Sequence, residues 1–119
     1  MSILAIDVGK KRWGLAWCEP GLGVVLPFGV VASVDEVRDI IAKEKITQVV
    51  IGLPLDLEAG ETEWVSEVRA IGAQLENLAP VQFVDERSST AAAARMGAEG
   101  ASRDEKSAMI ILQSFLDQR

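Results

Sequence analysis

Asp7, Asp85, Glu86 and Asp104 sit where an acid does little for stability and could do chemistry. Asp7 closes the apolar run Ile3–Ile6 and is followed two residues later by Gly9. Asp85 and Glu86 close a second apolar run, VQFV. Asp104 opens a helical stripe with Ala108, Ile111 and Phe115, at i, i+4, i+7 and i+11. Each acid also has an ordinary use. Asp caps turns, and acids suit the first turn of a helix. Gathered in one place, however, carboxylates repel each other unless a cation neutralises them. The chain contains no histidine, which removes His-based triads and His/Cys zinc sites. An oxygen-only donor set suits Mg²⁺ or Mn²⁺. Two such ions could activate water and stabilise the leaving oxygen of a phosphodiester.

The elements that must position these acids follow from pattern. Residues 2–7, 13–18 and 24–31 read as three strands, with the turn signals Pro20 and Gly21 between the last two. Short connections suggest an antiparallel meander. Pro27 inside the third strand marks an edge or a bulge. Ser33 and Glu36 form an S-x-x-E capping box for a first helix. Residues 47–53, TQVVIGL, read as a strand buried on both faces. A helix over 62–78 carries Trp64, Val68, Ile71, Leu75 and Leu78 on one face. Residues 81–85 form a fifth strand. A short Ala-rich helix is expected over 90–96, and a last one from Ser102, capped with Glu105, to about Leu116.

This β-β-β-α-β-α-β-α-α order predicts an α/β fold with a five-stranded mixed sheet and helices on both faces. Ligands in such sheets sit beyond the carboxyl ends of parallel strands. If strands one and five are parallel and central, Asp7 and the Asp85-Glu86 pair share one edge. Strand parity leaves open which of Asp85 and Glu86 faces that edge.

The bulk properties narrow the function classes. A chain of 119 residues is one domain's worth, so residues 1–119 are expected to form a single domain. Asp7 and Lys10 interrupt the first apolar stretch, so no secretory leader and no membrane role are expected. The single cysteine, Cys18, cannot form an internal disulfide and fits a reducing compartment. Twelve basic against eighteen acidic residues give a net charge of −6. That argues against a nonspecific nucleic-acid coat. It allows an acidic metal centre with a small basic rim, for which Lys10, Lys11, Arg12 and Arg87 are candidate phosphate contacts. Trp13 and Trp17 share one strand face and read as core rather than as a base-stacking platform.

The stretches DVGKKRWGLA, IGLPLDLEAG, DERSST and DEKSAMIILQSFL resemble, as an ordered set spanning nearly the whole chain, the YqgF/RuvX family. Members of that family are assigned as pre-16S rRNA nucleases and sometimes as Holliday junction resolvases. The resemblance implies an RNase H-like fold and metal-dependent phosphodiester cleavage in ribosomal RNA maturation in the cytoplasm. It implies Asp7, Glu86 and Asp104 as the catalytic, metal-holding acids, with Asp85 in support. Precursor rRNA is then the expected partner and branched DNA the alternative, for a monomer or a homodimer. Three departures from the family pattern stand out. Ser88-Ser89-Thr90 replaces the usual Leu-Thr-Thr, the loop before Asp104 is shorter than is common in the family, and its residues 97–102 carry no basic side chain. The last, with the acidic net charge, raises the alternative of a non-catalytic RNA-binding assembly factor.

Overall fold

The structure is a computed structural model that describes residues 2–19, 21, 23–53, 63–85 and 100–118. Five strands, β1 (Ser2–Asp7), β2 (Trp13–Cys18), β3 (Leu26–Val31), β4 (Ile46–Leu53) and β5 (Val81–Asp85), form one sheet in the order β3-β2-β1-β4-β5. The first three are an antiparallel meander, and β4 and β5 add to β1 in parallel. The mixed sheet expected from the element order is therefore present, with β1 central. The expected third strand is shortened at its start, because pairing begins at Leu26 rather than at residue 24. β3 is an edge strand, and its register against β2 shifts between Leu15 and Ala16, opposite the Pro27–Gly29 stretch. A proline without a donor is tolerated there for that reason.

Alternation along the strands builds two cores, one on each face. Leu4, Ile6, Leu15, Val49, Ile51 and Leu53 point to a face covered by α1 (Val34–Lys43) and α2 (Glu63–Leu75). Ile3, Ala5, Ala16, Val50 and Val84 point to the other, covered by α3 (Arg103–Asp117) through Ala108, Met109, Ile111, Leu112 and Phe115. β4 is buried on both sides, as its unbroken apolar run predicts. Trp13 is buried, and Trp17 packs edge-on against Phe28 at 5.0 Å between ring centres. Both tryptophans serve the core.

Two further details differ from expectation. The helix over 62–78 extends as α2 only to Leu75, and Leu78 lies beyond it, 41% exposed. Its inward face is centred on Val65, Val68, Gly72 and Leu75, with Trp64 and Ile71 at the margins. Gly72 explains the offset. A Cβ there would stand 2.6 Å from Phe83 Cζ, so the glycine lets the helix approach β5. At α1, the Ser33 hydroxyl accepts from the Glu36 N–H at 3.4 Å, but the Glu36 carboxylate takes the Ala32 N–H, one residue earlier than a capping box requires. The box at Ser102 and Glu105 is complete, with bonds of 3.0 and 3.2 Å. The helix expected over 90–96 lies outside the described residues.

Candidate functional site

β1 carries Asp7 past the buried Ile3 and Ala5, on the face that α3 covers. The strand ends there because Gly9 turns the chain. A Cβ at Gly9 would overlap the Arg12 carbonyl oxygen, so only glycine permits so tight a return. The return places Gly14 of β2 directly opposite Asp7.

Gly14 is in turn the seat of α3. A Cβ built on it would overlap the carbonyl carbon and oxygen of Asp104 and stand 2.9 Å from the Glu105 nitrogen. The N-terminus of α3 thus rests on bare backbone beside Asp7. The Ser102–Glu105 box fixes the entry of the chain into that helix, and Asp104 is its second residue. Asp7 and Asp104 are both half-buried. The structure brings these two expected acids to one end of one sheet face.

Asp85 goes elsewhere. It pairs with Leu53 in the parallel β4–β5 ladder, and Leu53 belongs to the core under α1 and α2. Partners across a parallel ladder share a face, so Asp85 lies on the side of the sheet opposite Asp7. Glu86 and Arg87 lie outside the described residues.

The basic residues of the β1–β2 turn, Lys10, Lys11 and Arg12, are all exposed. Arg12 Nε stands 3.2 Å from Asp104 Oδ2, with the two side chains 72% and 29% exposed. Lys10 Nζ stands 5.8 Å from the centre of the Trp64 ring at the start of α2. Lys11 lies between them in sequence. Arg12 thus pairs with Asp104 on the α3 side, whereas Lys10 reaches Trp64 of α2, on the other face of the sheet.

A divalent cation fits this donor set. Asp7 and Asp104 offer hard oxygen ligands from rigid elements, and Cys18 sits at the far end of β2, paired with Ile3. Among the described residues no group of three or more potential ligands occurs. A complete cage therefore requires a donor beyond them, water, or substrate oxygens, as is usual for Mg²⁺.

Gly14 is the site residue that sequence reasoning missed. A glycine within a strand signals a bulge or a close backbone approach, but not what approaches it. Gly52, on β4 next to β1, is buried. Among the described residues no helix is long and apolar enough to cross a membrane.

Known proteins share this fold. Thermus thermophilus RuvC superposes with a TM-score of 0.69 at 15% identity, over 96% of this chain and 92% of that one. A fowlpox virus Holliday junction resolvase does so with a TM-score of 0.61 at 11% identity, over 99% of both chains. Likeness at such identity concerns the fold, which is the RNase H-like fold that the resemblance implied. Sequence relatives are closer. A protein of Gloeobacter violaceus, provisionally named a pre-16S rRNA nuclease, is 35% identical over 133 residues, covering 100% of this chain and 85% of its own. One of the same name from Maridesulfovibrio salexigens is 40% identical over 101 residues, covering 78% and 75%. The model of the RuvX family, described as Holliday junction resolvase, matches residues 1–118. The chain therefore belongs to the RuvX family.

Proposed function

We propose that this protein is a metal-dependent nuclease that hydrolyses phosphodiester bonds of structured nucleic acid, with the 5′ end of precursor 16S rRNA as substrate. The observation that carries the reading is the placement of Asp7 opposite Gly14, against which the Asp104 backbone rests. Membership of the RuvX family supports the nuclease class, and the names of the relatives support the RNA substrate.

In this reading Asp7, Asp104 and Glu86 hold Mg²⁺ or Mn²⁺. Glu86 is assigned by the family resemblance, and by the removal of Asp85 to the opposite face. Asp85 supports the β5 end without ligating. When bound, the cation supplies an activated water and neutralises charge on the leaving oxygen. Asp7 fixes one donor from the end of a central strand, which is paired on both sides. Asp104 brings the other on a capped helix whose first turn cannot slide past Gly14. Lys10, Lys11, Arg12 and Arg87 contact backbone phosphates on either side of the scissile bond. Positions and charges of this kind suffice for phosphoryl chemistry without a histidine.

Branched DNA is the second substrate reading, favoured by the description of the family model. The two separate in one assay. The protein, with Mn²⁺ or Mg²⁺, meets a labelled precursor 16S fragment and a labelled four-way DNA junction, with Asp7→Asn alongside. The proposal expects cleavage of the RNA that Asp7→Asn abolishes. Preferential cutting of the junction moves the assignment to resolvase. RNA that binds uncut, equally well in Asp7→Asn, leaves an assembly factor and removes the nuclease.

A further inference from the structure

We propose that Gly14 is a positioning residue of this site, setting the separation of the two carboxylates by admitting the N-terminus of α3 against the β2 backbone. The inference rests on the carboxylate–metal reading and deepens it. Three observations carry it. Gly14 is the β2 partner of Asp7, so its Cα marks the height of that carboxylate on the sheet. Its absent side chain is replaced by backbone, not by a flexible side chain. The overlapping atoms are the Asp104 carbonyl group, and the next is the Glu105 nitrogen. And the face around it is built of small residues, with Ala5 and Ala16 fully buried beneath α3.

Backbone cannot rotate out of the way as a side chain can. A methyl group at position 14 therefore lifts the first turn of α3 from the sheet, and Asp104 with it. The remainder of α3 is anchored further along by Ile111, Leu112 and Phe115, so the helix tilts instead of leaving. Asp7, at the end of a strand that β4 holds on its other side, stays in place. The distance between the two acids grows while their chemistry is unchanged.

This displacement has a signature that simple loss of stability lacks. A glutamate at position 104 reaches one methylene further than aspartate. With Gly14 in place that reach overshoots. Once Gly14→Ala has raised the helix, the longer side chain compensates. The test is Mn²⁺ binding by calorimetry on the folded full chain, with far-UV circular dichroism and urea midpoints recorded for each variant. Gly14→Ala weakens binding by about tenfold or more, the range for residues that orient metal ligands. Asp104→Glu alone weakens it by a similar factor, on the order of tenfold. In the double variant the order reverses, and glutamate binds more tightly than aspartate.

Asp7→Asn is the reference, and loses binding. Wild-type affinity in Asp7→Asn overturns the carboxylate–metal reading, and the role of Gly14 with it. Loss in Asp7→Asn with wild-type affinity in folded Gly14→Ala overturns the positioning role alone. So does a glutamate that is worse than aspartate by the same factor in both backgrounds. If Gly14→Ala does not fold, Asp104→Glu decides by itself, since the Asp104 side chain is 29% exposed at a helix end. Undiminished Mn²⁺ affinity there shows that the separation is not set, and the proposal fails.

Discussion

The two faces of the sheet are packed by different rules. On the α1–α2 side the strands present Leu4, Ile6, Leu15, Val49 and Ile51, all fully buried. On the α3 side β1 and β2 present Ile3 and Cys18 at one end, then Ala5 and Ala16, and finally Gly14 and Asp7 where α3 begins. Large side chains on the first face hold two helices at a distance and fill the gap, which is how a core accumulates stability. Small ones near the start of α3 let that helix come close, and bring its N-terminus, with Asp104, down beside the strand end that carries Asp7. One face is built to stay folded, the other to fix a separation.

Substitutions can break that contrast in graded steps. Leu4→Ala opens a cavity in the larger core and lowers unfolding free energy by about 2–5 kcal/mol. Urea denaturation reads the loss, and the Mn²⁺ affinity of the protein that remains folded stays unchanged. Ala16→Leu overpacks the α3 face at a cost of roughly 1–3 kcal/mol. Unlike Leu4→Ala, it also weakens Mn²⁺ binding, because the helix that carries Asp104 is displaced. Equal Mn²⁺ affinity in these two variants would erase the distinction between the faces. Ser102→Ala removes the cap of α3 for about 1 kcal/mol. Amide exchange of residues 103–106 rises while that of the α3 centre does not. Arg12→Gln is the smallest change. An ion pair this exposed contributes about 0–1 kcal/mol, so the urea midpoint barely moves. If Arg12 meets a phosphate, RNA affinity falls and its salt slope shrinks by about 1.

The sequence made the faces legible and left their junctions hidden. Alternation in β1 and the unbroken run of β4 identify a central sheet, and the stripe of α3 runs as the spacing says. Asp7 and Asp104 stand out because an acid ends an apolar strand and another begins an apolar stripe. The choice between Asp85 and Glu86 needed the pairing of Asp85 with Leu53, which a boundary uncertain by one residue cannot supply. The inward face of α2 was misplaced because Gly72 buries without counting as apolar, while Leu78 counts and lies outside the helix. The contacts of Arg12 with Asp104, and of Lys10 with Trp64, join residues far apart in the chain, and no local spacing encodes them. Gly14 belongs to the same class. A glycine's purpose is the atom that occupies its place.

The most direct test of the shared site is single-turnover cleavage of the precursor 16S fragment in Mn²⁺ by wild type, Asp7→Asn, Asp104→Asn and the double variant. Groups that act as one unit are strongly non-additive. A shared cation site predicts that each single substitution costs nearly as much as both together. Losses that multiply, or an Asp104→Asn protein that cuts at the wild-type rate, would show that the two carboxylates do not serve the same metal.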